Sequence, residues 1–352
     1  MTKKYGDTMA RSNTNGTRKP TSRDVAKLAN VAQSTVSYYM NGSRPVAEET
    51  KARIEAAMKI LNYHPNSSAR TLRTQHTNLI TLIERLSYES DGSDVTPYLS
   101  SIIEEAYRLG YDVIANTTQA DPDSLRRMDG RNICDGFILM DIKDEDNRIP
   151  VAAEIGLPTV VFGRPHDAHG LDLVYFDYMH AGGVIVDYLA NLEHHQVLYL
   201  DNDAEENRNY RTIQGMYDAM RERAEERGLM FGVASLPQND SSEAIETISE
   251  RIDDRLAIVT RQPGPTKQIM DTLDRLGITL GQDLTLVSIC PDSRATRFPL
   301  KPTNISQQPR EVSQLAVRTL VERIKDPDRP QVEHPVRSYH VTTRETTVDF
   351  RG

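Results

Sequence analysis

The sequence predicts an α/β chain in which a small N-terminal module of three helices precedes a larger body built on parallel sheets. Three observations carry this. The run Thr21–Leu72 reads as three short helices with a tight turn between the first two, then one more short helix ending in a leucine. Beyond it, short β-rich runs alternate with helical patterns, the signature of parallel strands joined by crossover helices. Charge is divided as well. Residues 1–75 hold 13 Lys and Arg against 5 Asp and Glu, which leaves 29 and 46 for residues 76–352. A basic head on an acidic body suits phosphate binding at one end, although the whole chain carries a net charge of −9.

The first helix should begin at Thr21 or Ser22, with Asp24 three residues after Thr21 as in a capping box. Val25, Leu28 and Ala29 then make one apolar face, and Asn30 turns the chain sharply in the left-handed conformation that Asn tolerates. A second helix runs from Gln33 to Met40. Its Val36 and Met40 face the first helix, which leaves Gln33, Ser34, Ser37 and Tyr38 outward. Asn41 and Gly42 end it. Glu48 and Glu49 open a third helix at its positive end, and Ile54, Ala57, Met58 and Leu61 supply its apolar stripe. Helices this short must share one core. After Pro65, Asn66 can cap a further helix, too short to persist alone in water and expected to be disordered in the free protein.

Residues 24–50, DVAKLANVAQSTVSYYMNGSRPVAEET, and 61–74, LNYHPNSSARTLRT, resemble the N-terminal module of the lac repressor (LacI/GalR) family in order, spacing and residue type. The resemblance implies a helix-turn-helix that reads double-stranded operator DNA. Gln33 and Ser34 then occupy the variable base-reading positions, and a glutamine can pair with adenine through two hydrogen bonds. Thr21, Thr35, Ser37 and Asn41 become phosphate contacts, which set register. Residues 66–72 become a hinge helix, with Asn66, Ala69 and Arg70 along the minor groove and Leu72 wedged between base steps. The other reading of Leu72 is a linker leucine packed on the body. The chain departs from the family at Tyr38, where an Arg is usual, and at Ala32 and Ala47, where a capping Ser is usual. Each lost cap costs about 1 kcal/mol.

In the body, strands are expected at Leu79–Ile83, Tyr111–Asn116, Gly136–Met140, Thr159–Phe162, Val197–Leu200, Ala257–Thr260 and Leu284–Ile289. Helices are expected at Tyr98–Leu109, His180–Leu192, Ile213–Arg227 and Thr266–Leu276. No GxGxxG follows a strand and no GxxxxGK[ST] occurs, so dinucleotide and P-loop chemistry are not supported. The pattern resembles the two-lobed, periplasmic-binding-protein-like core of the same family, crossed three times by the chain, with a small-molecule effector in the cleft at the strand ends. The implied organisation is a disordered basic tail at 1–19, the DNA-binding module at 20–64, hinge and linker at 65–76, and an effector-binding and dimerisation core at 77–352. Lobe 1 takes about 77–176 and 308–336, and lobe 2 about 177–306 and 337–350. By the same resemblance Gly163 ends a strand at the cleft where some members carry an acidic residue. Arg211 matches a ligand-clamping arginine, one residue out of the usual spacing, and Gln307 in PTNISQQP faces the cleft. Phe298 offers a stacking face. The usual cleft carboxylates are missing from Thr260, Arg261 and Gln262 and from Ser288, Ile289, Cys290 and Pro291, so a different or larger ligand, or none, is open.

No catalytic constellation, metal site or cofactor motif can be located, and no enzymatic activity is expected. His166, His169, His194 and His195 read as loop or surface residues. Cys134 and Cys290 form no CxxC pair, which points to a reducing compartment and structural thiols. The first 19 residues lack the apolar segment of a signal peptide, and no stretch approaches the apolar length of a membrane span. The expected protein is therefore cytoplasmic and associated with the nucleoid. It is expected to act as a homodimeric repressor of carbohydrate-utilisation genes on a near-palindromic operator, answering a mono- or oligosaccharide. A DNA-binding regulator with no effector, or with a non-sugar ligand, is the alternative. No leucine heptad closes the sequence, so a tetramer is not expected.

Overall fold

The computed structural model describes residues 20–41, 44–63, 76–85, 92–117, 120–252 and 255–351, without the side chains of residues 41 and 92–94. The chain divides into two compact units, Met1–His76 and Thr77–Gly352. The expected tail at 1–19 and the hinge positions Asn66, Ala69, Arg70 and Leu72 lie outside the described residues.

The first unit holds helices α1 (Ser22–Ala29), α2 (Gln33–Asn41) and α3 (Glu48–Ile60). Asp24 accepts from the backbone N–H of Thr21 at 2.8 Å, so the orphan amide ahead of α1 is satisfied from within the first turn. Asn30 ends α1 at φ 51° and ψ 54°, which frees the chain to turn directly into α2. The shared core is Val25, Ala26, Ala29, Val36, Ile54 and Ala57, with Met40, Met58 and Leu61 packed on it. Leu28 departs from expectation at 47% exposed, while Ala26 is buried. On a helix this short, 25, 26 and 29 fall within one narrow arc and 28 lies on its flank, so the small residue takes the seat against α3.

The second unit is two parallel sheets wrapped by helices. The chain lays down β1 (Leu79–Ile83), α4 (Gly92–Arg108), β2 (Asp112–Asn116), α5 (Pro122–Asp129), β3 (Gly136–Leu139), α6 (Arg148–Ile155), β4 (Thr159–Phe162) and β5 (Asp172–Phe176). It then crosses to α7 (Tyr178–Asn191), β6 (Gln196–Asp201), α8 (Ala204–Asn207), α9 (Arg211–Arg227), β7 (Met230–Ser235), α10 (Ser242–Arg251), β8 (Leu256–Arg261), α11 (Pro263–Arg275), β9 (Thr285–Ile289), α12 (Asp292–Ala295) and β10 (Thr303–Ile305). A return through α13 (Pro309–Lys325) and β11 (Glu333–Val336) completes the first sheet, ordered β11-β5-β4-β3-β1-β2. The second sheet is ordered β10-β9-β8-β6-β7, and every pairing in both is parallel. The two-lobed α/β architecture read from the sequence is thus the one present. The inner strands of both sheets are buried on both faces, as runs such as LITLI and TVVF require, while the edge strands β2, β7 and β11 are partly exposed.

After β11 the chain crosses a third time. Within the stretch 337–350 that was assigned to lobe 2, the backbone makes only one antiparallel bridge, Thr342 to Asn304. The reason lies in the threonines that follow. Thr346 accepts from the Thr303 N–H at 2.9 Å and donates to the Leu286 carbonyl at 2.7 Å, and Thr285 accepts from the Val348 N–H at 2.8 Å. Side-chain hydroxyls tie the segment to the sheet where a ladder would otherwise run.

The candidate nucleic-acid interface and the cleft

On α2, Gln33 and Ser34 are exposed, while Thr35, Ser37 and Tyr38 are half-buried beside the fully buried Val36. Gln33 is held in place from α1: its amide donates to Ser22 Oγ at 3.1 Å, and its Oε1 accepts from Arg23 Nε at 3.3 Å. The Thr21 hydroxyl donates to Asp24 at 2.7 Å. Asn41 closes α2, and its side chain lies outside the description. Sequence reasoning missed Arg44, whose guanidinium stacks 5.0 Å from the centre of the Tyr38 ring. A cation thus stands against position 38, held over the aromatic ring from six residues further on.

The second unit encloses a cavity of about 590 Å³. Its lining comes from residues that immediately follow strand C-termini: Glu84 and Arg85 after β1, Asp141 after β3, Gly163 after β4, Asn202 after β6, Arg261 at the end of β8 and Gln307 after β10. Carboxyl ends of parallel strands are where open α/β sheets place their ligands. Aromatic walls come from Tyr98 set edge-on to Phe162 at 5.9 Å, and from Tyr178 edge-on to Phe176 at 5.0 Å.

Of the four residues expected at a ligand, Gly163 and Gln307 line the cavity, and Arg211 and Phe298 do not. Gly163 is small by necessity, since a Cβ there would sit 2.6 Å from Ile142 Cβ, and an acidic side chain has no room. Gln307 donates to the Tyr178 hydroxyl at 3.3 Å, and its Oε1 is buried without a partner. Arg211 opens α9 and turns to the rim, where it meets His166 Nδ1 at 3.1 Å and Asp144 at 4.0 Å. Phe298 packs on the core behind β8 and β9 with Leu284 and Leu286. Thr260 and Ser288 do not face the cleft either. Both are fully buried, and each shares a hydrogen bond with Thr266, at 2.8 and 2.7 Å. His194 is a loop residue but not a surface one. It is buried, with Nδ1 2.9 Å from the Arg255 carbonyl, and burial holds its pKa down.

Electrostatics divide the cleft. In the first lobe, Arg148 and Asp146 form a fully buried pair, with Nε at 2.8 Å and Nη2 at 2.6 Å from the two carboxylate oxygens. Arg85 joins Asp146 at 3.1 Å and Asp141 at 3.4 Å. Beside them, burial and the Asp141 charge push the Glu84 carboxyl up to about 8, and its Oε2 is buried without a partner. The lobes are strapped together at one rim. Tyr210 donates to Asp141 at 2.6 Å, Lys143 pairs with Glu206 at 2.7 Å, and the Asp144 N–H donates to the Asn209 carbonyl at 2.6 Å. Glu84, Tyr178 and Tyr210 were not identified in the sequence; each stands just past a strand or helix end, which is the signal that would have found them.

Comparison with known proteins accounts for nearly all of this. Residues 21–66 match the family described as bacterial regulatory proteins, lacI family. Residues 95–250 match the periplasmic binding proteins and sugar binding domain of that family, and 186–347 a periplasmic binding protein-like domain. The HTH-type transcriptional repressor PurR of Mannheimia succiniciproducens is 28% identical over 329 residues, covering 90% of this chain and 96% of that one. The HTH-type transcriptional regulator MalR of Staphylococcus xylosus is 29% identical over 51% of this chain and 55% of its own. Among solved structures, a lac repressor dimer bound to operator and the anti-inducer ONPF has a TM-score of 0.75 at 18% identity, covering 94% of this chain and all of that one. A complex of the transcriptional regulator CelR with cellobiose has 0.64 at 19%, covering 93% and 100%. At such identities these two are likenesses of fold.

Proposed function

Because the chain belongs to the lacI family of bacterial regulatory proteins, and so is a DNA-binding transcriptional repressor, we propose that it acts as a homodimer on a near-palindromic operator under the control of a small polyhydroxylated molecule in the cleft. Two-fold symmetry in the protein calls for two-fold symmetry in the site. The reading rests above all on the exposed face of α2, where Gln33 and Ser34 project from a buried Val36 and Gln33 is already oriented by Ser22 and Arg23. A rigid polar pair at the start of such a helix suits base edges in a major groove. Thr21, Thr35, Ser37, Asn41 and Arg44 serve the backbone in this reading. Asn66, Ala69, Arg70 and Leu72 serve the minor groove, and the lobes act on the operator through them. Gly163 and Gln307 belong to the ligand wall. Among the described residues no helix is long and apolar enough to cross a membrane.

A gel-shift titration on the DNA upstream of its own gene, with and without mono- and oligosaccharides, tests the scheme. Gln33→Ala should weaken operator binding by roughly 10- to 100-fold and relax selection at one base pair per half-site. Equal affinity of the native chain for operator and for unrelated duplex would refute base reading. Leu72→Ala should weaken operator binding, and unchanged affinity would return Leu72 to the linker role.

A further inference from the structure

We propose that the cleft takes a ligand carrying an oxyanion, a carboxylate or a phosphate on a polyhydroxyl frame, and that Arg261 is the residue that binds the anion. This deepens the reading of a ligand-controlled cleft and rests on it.

Arg261 ends β8 and lines the cavity. A guanidinium is charged at any pH a protein meets, and burying one without a counter-ion is costly. Among the described residues no carboxylate lies within ion-pair distance of it. One Nη2 hydrogen goes to Asn207 Oδ1 at 2.8 Å, the Tyr199 hydroxyl is a second hydrogen-bonding neighbour, and the buried Nε has no acceptor of its own. Its electrostatic neighbours are the phenols of Tyr199, Tyr178 and Tyr217. The carboxylate on the adjacent strand, Asp201, reaches it only through that same amide, accepting from Asn207 Nδ2 at 2.5 Å and from the Asp203 N–H at 3.2 Å.

The other arginines of the lining are neutralised. Arg85 has Asp146 and Asp141, and Arg164 has Glu333 at 3.5 Å. The buried carboxyl left over on the facing wall, Glu84, is neutral below about 8, so it does not balance Arg261 at neutral pH. Among the described residues, Arg261 is therefore the arginine of the lining with no carboxylate at ion-pair distance.

The unmet acceptors are different in kind. Asn202 Oδ1 and Gln307 Oε1, both in the lining, are buried without a donor. Hydroxyl hydrogens satisfy such oxygens and an oxyanion satisfies Arg261. A sugar acid or a sugar phosphate brings both. A neutral sugar leaves the guanidinium as it was, and a bare anion leaves the amides.

The experiment uses the full chain in thermal-shift and operator-release assays. The panel is glucose, gluconate, glucuronate, glucose 6-phosphate and fructose 1-phosphate, with inorganic phosphate as the ionic control. An acid or a phosphate should raise melting and release or tighten operator where glucose does not, and which arm responds assigns carboxylate or phosphate. Arg261→Gln should weaken that ligand by roughly 100-fold or more. It should leave the melting of the free protein level or higher, since it removes a half-buried charge that has no carboxylate at ion-pair distance, and Arg261→Lys should restore part of the binding. Neutral and anionic compounds acting with equal potency would overturn the anion assignment and leave ligand control standing. A panel in which no compound shifts melting or operator release overturns both.

Discussion

Replacing Glu84 with glutamine should flatten the pH dependence of the body's stability above pH 5, where a neutral buried acid contributes a slope and an ion-paired one contributes none. The Glu84 carboxyl ordinarily titrates at 4.5, and in the folded protein burial, followed by the Asp141 charge, lifts it to about 8. Arg148 and Arg85 oppose the shift without cancelling it. The folded state therefore holds a proton that the unfolded state has released throughout the interval between those two values. The stabilisation from that proton is complete below 4.5 and is lost steadily as pH rises toward 8. The slope is about 1.4 kcal/mol per pH unit, so roughly 2.7 kcal/mol disappears between pH 5 and pH 7. For a body of this size, that corresponds to a fall in melting temperature of roughly 5–9 °C.

Glutamine keeps the shape and the neutral polarity of the protonated acid but cannot titrate. Thermal melts of the native chain and Glu84→Gln at pH 5, 6, 7 and 8 should therefore diverge, the variant gaining on the native protein as pH rises. Titrating groups that do not interact with Glu84 cancel in the difference. Were Glu84 an ionised partner of Arg85, its titration would lie below 4.5, and the variant would be weaker than the native protein by a constant amount from pH 5 to 8. Parallel profiles would therefore refute the reasoning.

Three further outcomes follow from the same geometry. Asp146→Asn strips the charge partner from the fully buried Arg148 and one partner from Arg85, and should cost about 3–5 kcal/mol in urea unfolding. Tyr210→Phe removes the hydroxyl that bridges to Asp141 across the lobes, a loss of about 1.5–3 kcal/mol; amide exchange at residues 141–146 and 204–210 should quicken by roughly tenfold or more, while exchange in β1 and β3 holds. Gly281→Ala places a Cβ against the Glu345 carbonyl at a backbone φ of +84°, and should lower the melting temperature by several degrees by dislodging the threonine-tied C-terminal segment.

The head was legible because its signals are local. Asp24, Asn30 and the Glu48–Glu49 pair each act within one turn of their own position, and all three elements stand where those residues put them. In the body, β1 and β4 were found to the residue because both are short β-branched and apolar runs interrupted by nothing more polar than one threonine. The missed strands carry reasons to be missed. β5 opens on Asp172, whose charge makes sense only with Arg323, at 2.7 and 2.9 Å from its two oxygens and contributed by α13. β11 contains Pro335 and lies on an edge, where proline is tolerated. β7 carries Gly232, and β10 is three residues long. At the cleft, motif position located Gly163 and Gln307, but motif position does not say which way a side chain turns. Arg211 and Phe298 were lost for that reason, and Arg261 was read only as the absence of something else.

That absence bears on whether the cleft senses anything. Thr260 and Ser288 are turned into the protein and hydrogen-bonded, as an inert core would need. The cavity itself is different: Glu84, Asn202, Arg261 and Gln307 each present a buried polar atom with no partner. Folded proteins leave few such atoms, and each costs about 1–3 kcal/mol, so drift toward an effector-independent regulator would favour apolar replacements at all four. Four unmet groups converging on one cavity from two lobes is the pattern of a site whose remaining hydrogen-bond partners arrive with the ligand.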